Sequence, residues 1–148
     1  MICSECGKRT KKTKGSVQAQ SLLLGEITVP GITRDLCKCG KYWLDMDNAR
    51  KIAEYVTAHE VGAISSLPVD NFVSRKQACD VLGWTVQEFR KNQRVKNGFI
   101  IFYATLQGER YYLRESVEMF RDTKDGRFNI LTCGQRVTRL QVLAATIQ

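Results

Sequence analysis

Histidine is nearly missing from this chain, with His59 the single copy in 148 residues. A Ser/His/Asp set needs an imidazole beside other reactive side chains, and a catalytic metal usually brings a His or carboxylate ligand and an open position. The sequence also carries no phosphate loop and no acid pair beside the histidine. His59 itself falls in a helical stretch far from the cysteines and reads as a surface or packing residue. Long apolar runs are missing too. None approaches the roughly 18 residues that span a bilayer. The opening stretch MICSECGKRTKKTKG has a cysteine pair where a signal peptide carries its apolar region. The chain therefore reads as a non-enzymatic, soluble protein of the cytoplasm, bacterial or that of a host if phage-encoded, with no membrane partner.

Acid is the third shortage: 15 Asp and Glu against 23 Lys and Arg, a net charge of +8. Residues 1–44 hold eight basic and three acidic side chains, residues 45–66 two and four, and residues 67–148 thirteen and eight. Both ends are positive, a distribution compatible with nucleic acid as a partner.

What is present in quantity is cysteine, six in all. In a reducing compartment these are better metal ligands or buried residues than disulfides. Cys3 and Cys6 form a C-x2-C pair followed by Gly7, and Cys37 and Cys39 a C-x-C pair followed by Gly40. Cys37 and Cys39 are poorly placed to bridge each other. A glycine after each pair lets the backbone turn its amides toward the sulfurs. Four thiolates in a tetrahedron make a closed, structural zinc site. The ligands expected are Cys3, Cys6, Cys37 and Cys39. Between the pairs, SVQAQSLL and EITVPGI have strand character, with Gly25 and Pro30-Gly31 as turns. Cys79 and Cys133 have no nearby partner and read as small hydrophobes.

After the second pair, Asp45 or Asp47 can cap a helix whose Ala49, Ile52, Ala53 and Val56 share one face, a stripe that fades at Glu60. SSLPVDNF, around Pro68, marks a boundary. In VSRKQACDVLGWTVQEFRKNQRVKNG, Ser74 with Gln77 and Thr85 with Glu88 make two capping boxes eleven residues apart. The spacing predicts a first helix from about Arg75 to Leu82, ended by Gly83, and a second from about Val86 to Gln93. Ala78, Val81, Leu82, Val86 and Phe89 face a core, and Trp84 plugs the corner. This is the pattern of a helix-turn-helix. Gln87, Arg90, Lys91 and Arg94 are then exposed: Arg and Gln suit base edges, Lys suits phosphate. FIIFYATL and ERYYL flank a two-residue turn, Gln107-Gly108, and RESVEMFRD closes as a helix with Val117 and Phe120 inward. The order predicts a winged helix-turn-helix, with Arg110 on the wing against backbone or minor groove. The DNA-contacting set expected is Thr85, Gln87, Arg90, Lys91, Arg94, Lys96 and Arg110.

Two stretches have nameable likenesses. SRKQACDVLGWTVQEFRK…YYLRESVEMF, within residues 72–121, resembles the excisionase/AlpA/MerR-like group of winged helix-turn-helix proteins, with Glu115-Ser116-Val117 where that group usually has Asp-Val. MICSECG…ITVPGITRDLCKCGKYWLDMDNARKIAEY, residues 1 to about 60, is similar to the YgiT-type zinc finger of MqsA antitoxins, with C-x-C in place of the second C-x2-C. The first resemblance implies a DNA-binding domain, the second a zinc-binding one with a helix after it. Zinc-and-DNA mosaics of this kind are common in phages and mobile elements.

Near the end, Val137, Leu140, Ala144 and Ile147 are spaced like one helix face, which either docks on its own domain or pairs with a second copy; regulators that bind as two-fold dimers favour the second. The expected architecture is α+β. Residues 1–46 form a small treble-cysteine-knuckle zinc ribbon with a β-hairpin, and 47–69 a connecting helix and linker. Residues 70–121 form the winged helix-turn-helix, and 122–148 a C-terminal segment for docking or dimerisation. The expected function is a sequence-specific, repressor-like DNA-binding regulator of a phage or mobile element, with structural zinc and double-stranded DNA as partner. The alternative is an antitoxin-like or inhibitor-like module whose zinc half binds a partner protein through Lys8, Arg9, Lys11, Lys12 and Lys14.

Overall fold

The structure is a computed structural model of the chain and describes residues 1–132. The helical stripe expected at Val137–Ile147, and Cys133, lie outside the described residues. The fold is mixed α and β: two three-stranded sheets and five α-helices among the described residues. It divides into two compact units, Met1–Glu60 and Val61 onward, the division falling within the first helix.

The first unit is a long antiparallel hairpin, β1 (Lys11–Ser21) and β2 (Gly25–Leu36), with a short third strand β3 (Tyr42–Trp43) on β2. The Ser21 hydroxyl accepts from the amides of Leu23 and Leu24 at 3.2 Å each and sets the hairpin turn, which Gly25 leaves at φ 76°. Pro30-Gly31, expected as a turn, lies inside β2 instead. Gly15 pairs with Ile32 and Val17 with Val29, so Ser16 opposes both Pro30 and Gly31 in a bulge. Proline lacks the N–H that a ladder position needs, and Gly31 takes φ 71°, so the pair fits a bulge as well as a turn. The extra residue also shifts the inward phase. Val29 and Ile32, three apart, are both buried and join Val17 in a small core.

Helix α1 (Met46–Ser65) starts where the Asp45 carboxylate accepts from the Asn48 amide at 2.7 Å and from its side-chain amide at 2.9 Å. These bonds from Asn48 hold the Asp45 carboxyl below its usual range. Asn48 is buried and its Oδ1 accepts from the Thr33 amide at 3.1 Å, tying the helix start to β2. Ile52, Tyr55 and Val56 pack on the hairpin core, while Ala49 and Ala53 are exposed. The buried stripe is thus turned from the expected one, because Asn48 anchors it. Glu60 continues it, accepting from the Ser21 hydroxyl.

The second unit holds β4 (Phe72–Val73), α2 (Arg75–Leu82), α3 (Val86–Lys91), α4 (Gln93–Lys96), β5 (Phe102–Ala104), β6 (Arg110–Leu113) and α5 (Arg114–Thr123). The sheet order is β4-β6-β5, all neighbours antiparallel. Both capping boxes are formed, at Ser74/Gln77 and Thr85/Glu88, and Gly83 closes α2 in the left-handed region at φ 68°. Ala78, Cys79, Phe89, Val95, Ile100, Tyr112, Val117 and Phe120 form the core, with Trp84 edge-on to Phe120 at 5.8 Å between ring centres. Val86 is exposed rather than inward. Phe89 alone supplies the buried contact of α3.

Two elements differ from their expected extents. The helix after Thr85 stops at Lys91. Asn92 ends it, and its side chain accepts from the Val95 amide at 3.1 Å to start α4. The hairpin turn is longer than Gln107-Gly108. Thr105 and Glu109 close it through the Thr105 amide and the Glu109 carbonyl at 2.8 Å, leaving Leu106, Gln107 and Gly108 at the tip. The Thr105 hydroxyl accepts from the Glu109 amide at 3.2 Å, and Gly108 takes φ 86°, which favours the three-residue form.

The chain after α5 packs back on this unit. Ser116, fully buried, accepts from the Ile101 amide at 2.8 Å and donates to the Gly126 carbonyl at 2.7 Å, while the Gly126 amide donates to the Phe99 carbonyl at 2.7 Å. Arg127 lies over the Phe99 ring at 3.9 Å, and Phe128 and Ile130 are buried.

Candidate metal centre and basic surface

The four cysteines expected as ligands come together. One ligand atom from each of Cys3, Cys6, Cys37 and Cys39 lies within 4.8 Å of the others. Each knuckle is built by local hydrogen bonds. In the first, the Gly7 amide donates to the Cys3 carbonyl at 2.9 Å and the Cys3 amide to the Lys8 carbonyl at 2.8 Å. In the second, the Gly40 amide donates to the Cys37 carbonyl at 3.0 Å and the Cys37 amide to the Lys41 carbonyl at 2.9 Å. The second turn closes one residue sooner, which is how C-x-C does the work of C-x2-C. Gly7 and Gly40 both take positive φ, 68° and 90°.

Across the knuckles, the sulfurs of Cys3 and Cys39 are 3.7 Å apart and those of Cys6 and Cys37 are 3.3 Å apart. A disulfide needs about 2.05 Å. Four sulfurs each about 2.3 Å from one tetrahedral ion lie about 3.8 Å from each other. The donor set therefore fits a thiolate-bound metal ion. Cys3 and Cys37 are buried, Cys6 and Cys39 exposed. Burial alone would raise the Cys3 thiol, but the amides of Cys6 and Glu5 and the thiols of Cys6 and Cys37 outweigh it and lower it to about 7. A knuckle that stabilises thiolate before any ion arrives is suited to holding a cation.

Cys79 is buried in the second unit, its thiol 3.9 Å from the Thr85 carbonyl oxygen, and burial pushes its pKa up. His59 is exposed, stacked on Tyr55 at 4.2 Å, with Nδ1 donating to the Tyr55 carbonyl at 2.9 Å.

Comparison with family models, curated proteins and solved structures finds no match to this chain. Its chemistry has to be read from its own side chains. Among the described residues no helix is long and apolar enough to cross a membrane.

The expected DNA-contacting residues separate into three groups. Thr85, Gln87 and Lys91 are exposed on or beside α3, with Thr85 already engaged in its cap. Arg90 and Lys96 line one cavity of about 120 Å³ together with Arg75, Arg110, Phe89, Val95 and Tyr112. Arg94 is not brought to that cavity. Its guanidinium donates to the Lys124 carbonyl at 2.9 Å and lies over the Phe99 ring at 5.6 Å, because the break at Asn92 turns it off the line of α3. Arg110 lies over the Phe102 ring at 4.4 Å. Arg75 was not among the expected residues. Its signal was its place, the first residue after the Ser74 cap, beside the N–H groups of a helix start.

Proposed function

We propose that the chain is a zinc-bearing, sequence-specific DNA-binding protein of the regulator type. The first unit would be a structural zinc ribbon and the second a winged helix-turn-helix with β5 and β6 as its wing. One observation carries the DNA reading. Cations from α2, α3, α4 and the hairpin converge on one cleft with no carboxylate in its lining, beside the exposed Gln87 and Lys91 of α3. The left-handed Gly83 and the two capping boxes support the helix corner that such a domain needs. Zinc is the metal best matched to four thiolates in a closed shell, where it supplies folding energy and leaves no position for a substrate.

The test is binding of duplex DNA from a randomised pool, measured against salt. Each phosphate neutralised adds about −0.9 to the slope of log K against log salt, so affinity should fall steeply as salt rises. Absence of duplex binding at low salt removes the reading.

A second reading draws on a groove of about 470 Å³ beside the knuckles, lined by Ser4, Glu5, Gly40, Lys41, Tyr42 and Trp43. It favours a protein partner for the first unit, with Lys8, Arg9, Lys11, Lys12 and Lys14 meeting acidic side chains. Changing Lys11, Lys12 and Lys14 to Ala separates the two uses. DNA affinity stays if this unit serves a protein, and falls for every sequence if it tracks the DNA backbone.

A further inference from the structure

The cleft holding Arg75, Arg90, Lys96 and Arg110 has three properties that together point to one ligand. Its apolar walls are rigid: Phe89, Val95 and Tyr112 are 1%, 4% and 2% exposed. It is a small, open cleft of about 120 Å³, a size that suits one tetrahedral oxyanion. Among the described residues none of its four cations forms an ion pair. The ion pairs among the described residues are Lys41–Glu5, Arg50–Asp47, Arg121–Asp122 and Arg127–Asp125. Glu109 lines a neighbouring cavity with Arg75 and Arg110, and its carboxylate accepts from the Tyr111 hydroxyl at 3.3 Å. Like charges gathered around one small volume repel unless an anion sits between them, and guanidinium groups match phosphate oxygens in planar, paired hydrogen bonds.

We propose that this cleft seats one backbone phosphate of duplex DNA. Arg90 then clamps that phosphate with Arg75, Lys96 and Arg110 and reads no base edge. The inference rests on the DNA reading of the second unit. It leaves base reading to Gln87 and Lys91, exposed residues of α3 that do not line the cleft. It also gives the clamp a positioning role. Its four members come from α2, α3, α4 and the hairpin, so one phosphate fixes the wing and the helix corner on the same register of the duplex.

The experiment uses the full chain and the duplex that it selects from a randomised pool, with each phosphate near the bound centre replaced in turn by an uncharged methylphosphonate. One replacement should lower wild-type affinity about tenfold, the worth of a charge-assisted hydrogen bond. The same replacement should cost Arg90→Ala less than twofold, since the contact is already gone. Arg90→Ala should keep the wild-type sequence preference at lowered affinity, whereas Gln87→Ala should change the preference. Arg90→Lys, with matched thermal melting, guards against a folding defect and should retain part of the methylphosphonate sensitivity. The proposal is overturned if Arg90→Ala alters the preferred sequence and keeps full sensitivity at every phosphate; DNA binding itself then stands. If the wild type binds no duplex, the DNA reading falls, and the cleft is titrated with inorganic phosphate while the Nε–H signals of Arg75, Arg90 and Arg110 are followed by NMR. Saturable shifts would assign the cleft to a free phosphate ligand and overturn the backbone as occupant. No shifts would overturn the oxyanion site altogether.

Discussion

Gly126→Ala should unfold the second unit far more readily than the sequence around it suggests. Gly126 is buried, and a Cβ placed there would lie 2.3 Å from the Ser116 carbonyl oxygen, 2.6 Å from the Ser116 hydroxyl oxygen and 2.9 Å from the Phe99 carbonyl oxygen. None of these can step aside freely. The Ser116 carbonyl is helix backbone, its hydroxyl is held by Ile101 and Gly126, and the Phe99 carbonyl accepts from Gly126 itself. Overpacking by one methyl costs about 1–3 kcal/mol. Moving the strap away to relieve it leaves buried polar groups unpaired at about 1–3 kcal/mol each. The two costs are alternatives, so the expected loss is about 2–3 kcal/mol, a sizeable share of the roughly 5–15 kcal/mol that holds a domain together. In a unit of this size that lowers the melting temperature by about 10–20 °C. The assay is urea unfolding followed by Trp84 fluorescence in a Trp43→Phe background, so that the second unit alone reports. Gly108→Ala is the control: it has φ 86° but open space around it, and should cost about 1 kcal/mol. If Gly126→Ala unfolds no earlier than Gly108→Ala, the strap is not packed as described and the Ser116 argument is wrong.

Protein purified without chelator should carry one zinc per chain by elemental analysis. Cys37→Ser should lose it and unfold residues 1–60 while the Trp84 transition stays; metal-free protein with a folded first unit would refute this. Thr85→Ala should destabilise the second unit by about 1 kcal/mol through loss of the α3 cap, with Thr85→Ser restoring most of it, measured by the same urea midpoints. Asn92→Ala should weaken both the end of α3 and the start of α4, read as faster amide exchange at Val95, whose N–H the Asn92 side chain accepts at 3.1 Å; unchanged exchange would sink that account.

Features set by local chemistry were legible in the sequence. The cysteine pairs with their glycines, both capping boxes, the ends of α2 and the inward Phe89, Val117 and Phe120 all follow from residues within a few positions of each other. What could not be read was set by partners distant in the chain. Pro30-Gly31 is equally good turn chemistry and bulge chemistry, and only the pairing of Val17 with Val29 decides for the bulge. The buried face of α1 depends on Asn48 reaching Thr33. Arg94 looked like a continuation of the α3 surface because helical periodicity assumes no break. Asn92 is a good cap, and it interrupts a stripe that periodicity alone continues. The strap from Asp125 to Ile130 does alternate, with Gly126, Phe128 and Ile130 buried between half-buried Asp125, Arg127 and Asn129. But six residues with a glycine among them are too short a run to mark a core segment without the Ser116 and Phe99 contacts that hold it.

The stop at Asn92 leaves α3 with six residues, a rod of about 9 Å at 1.5 Å per residue. Duplex DNA advances about 3.4 Å per base pair along each strand, so a rod of that length lies beside fewer than three. Three fully read base pairs recur by chance about once in every 64, while a genome offers on the order of a million competing positions or more. In a DNA-reading role, one copy of this helix therefore holds far too little information to name a single address. The remainder has to come from outside it: from further copies on adjoining half-sites, from contacts made by the first unit, or from the shape and stiffness of the sequence being gripped.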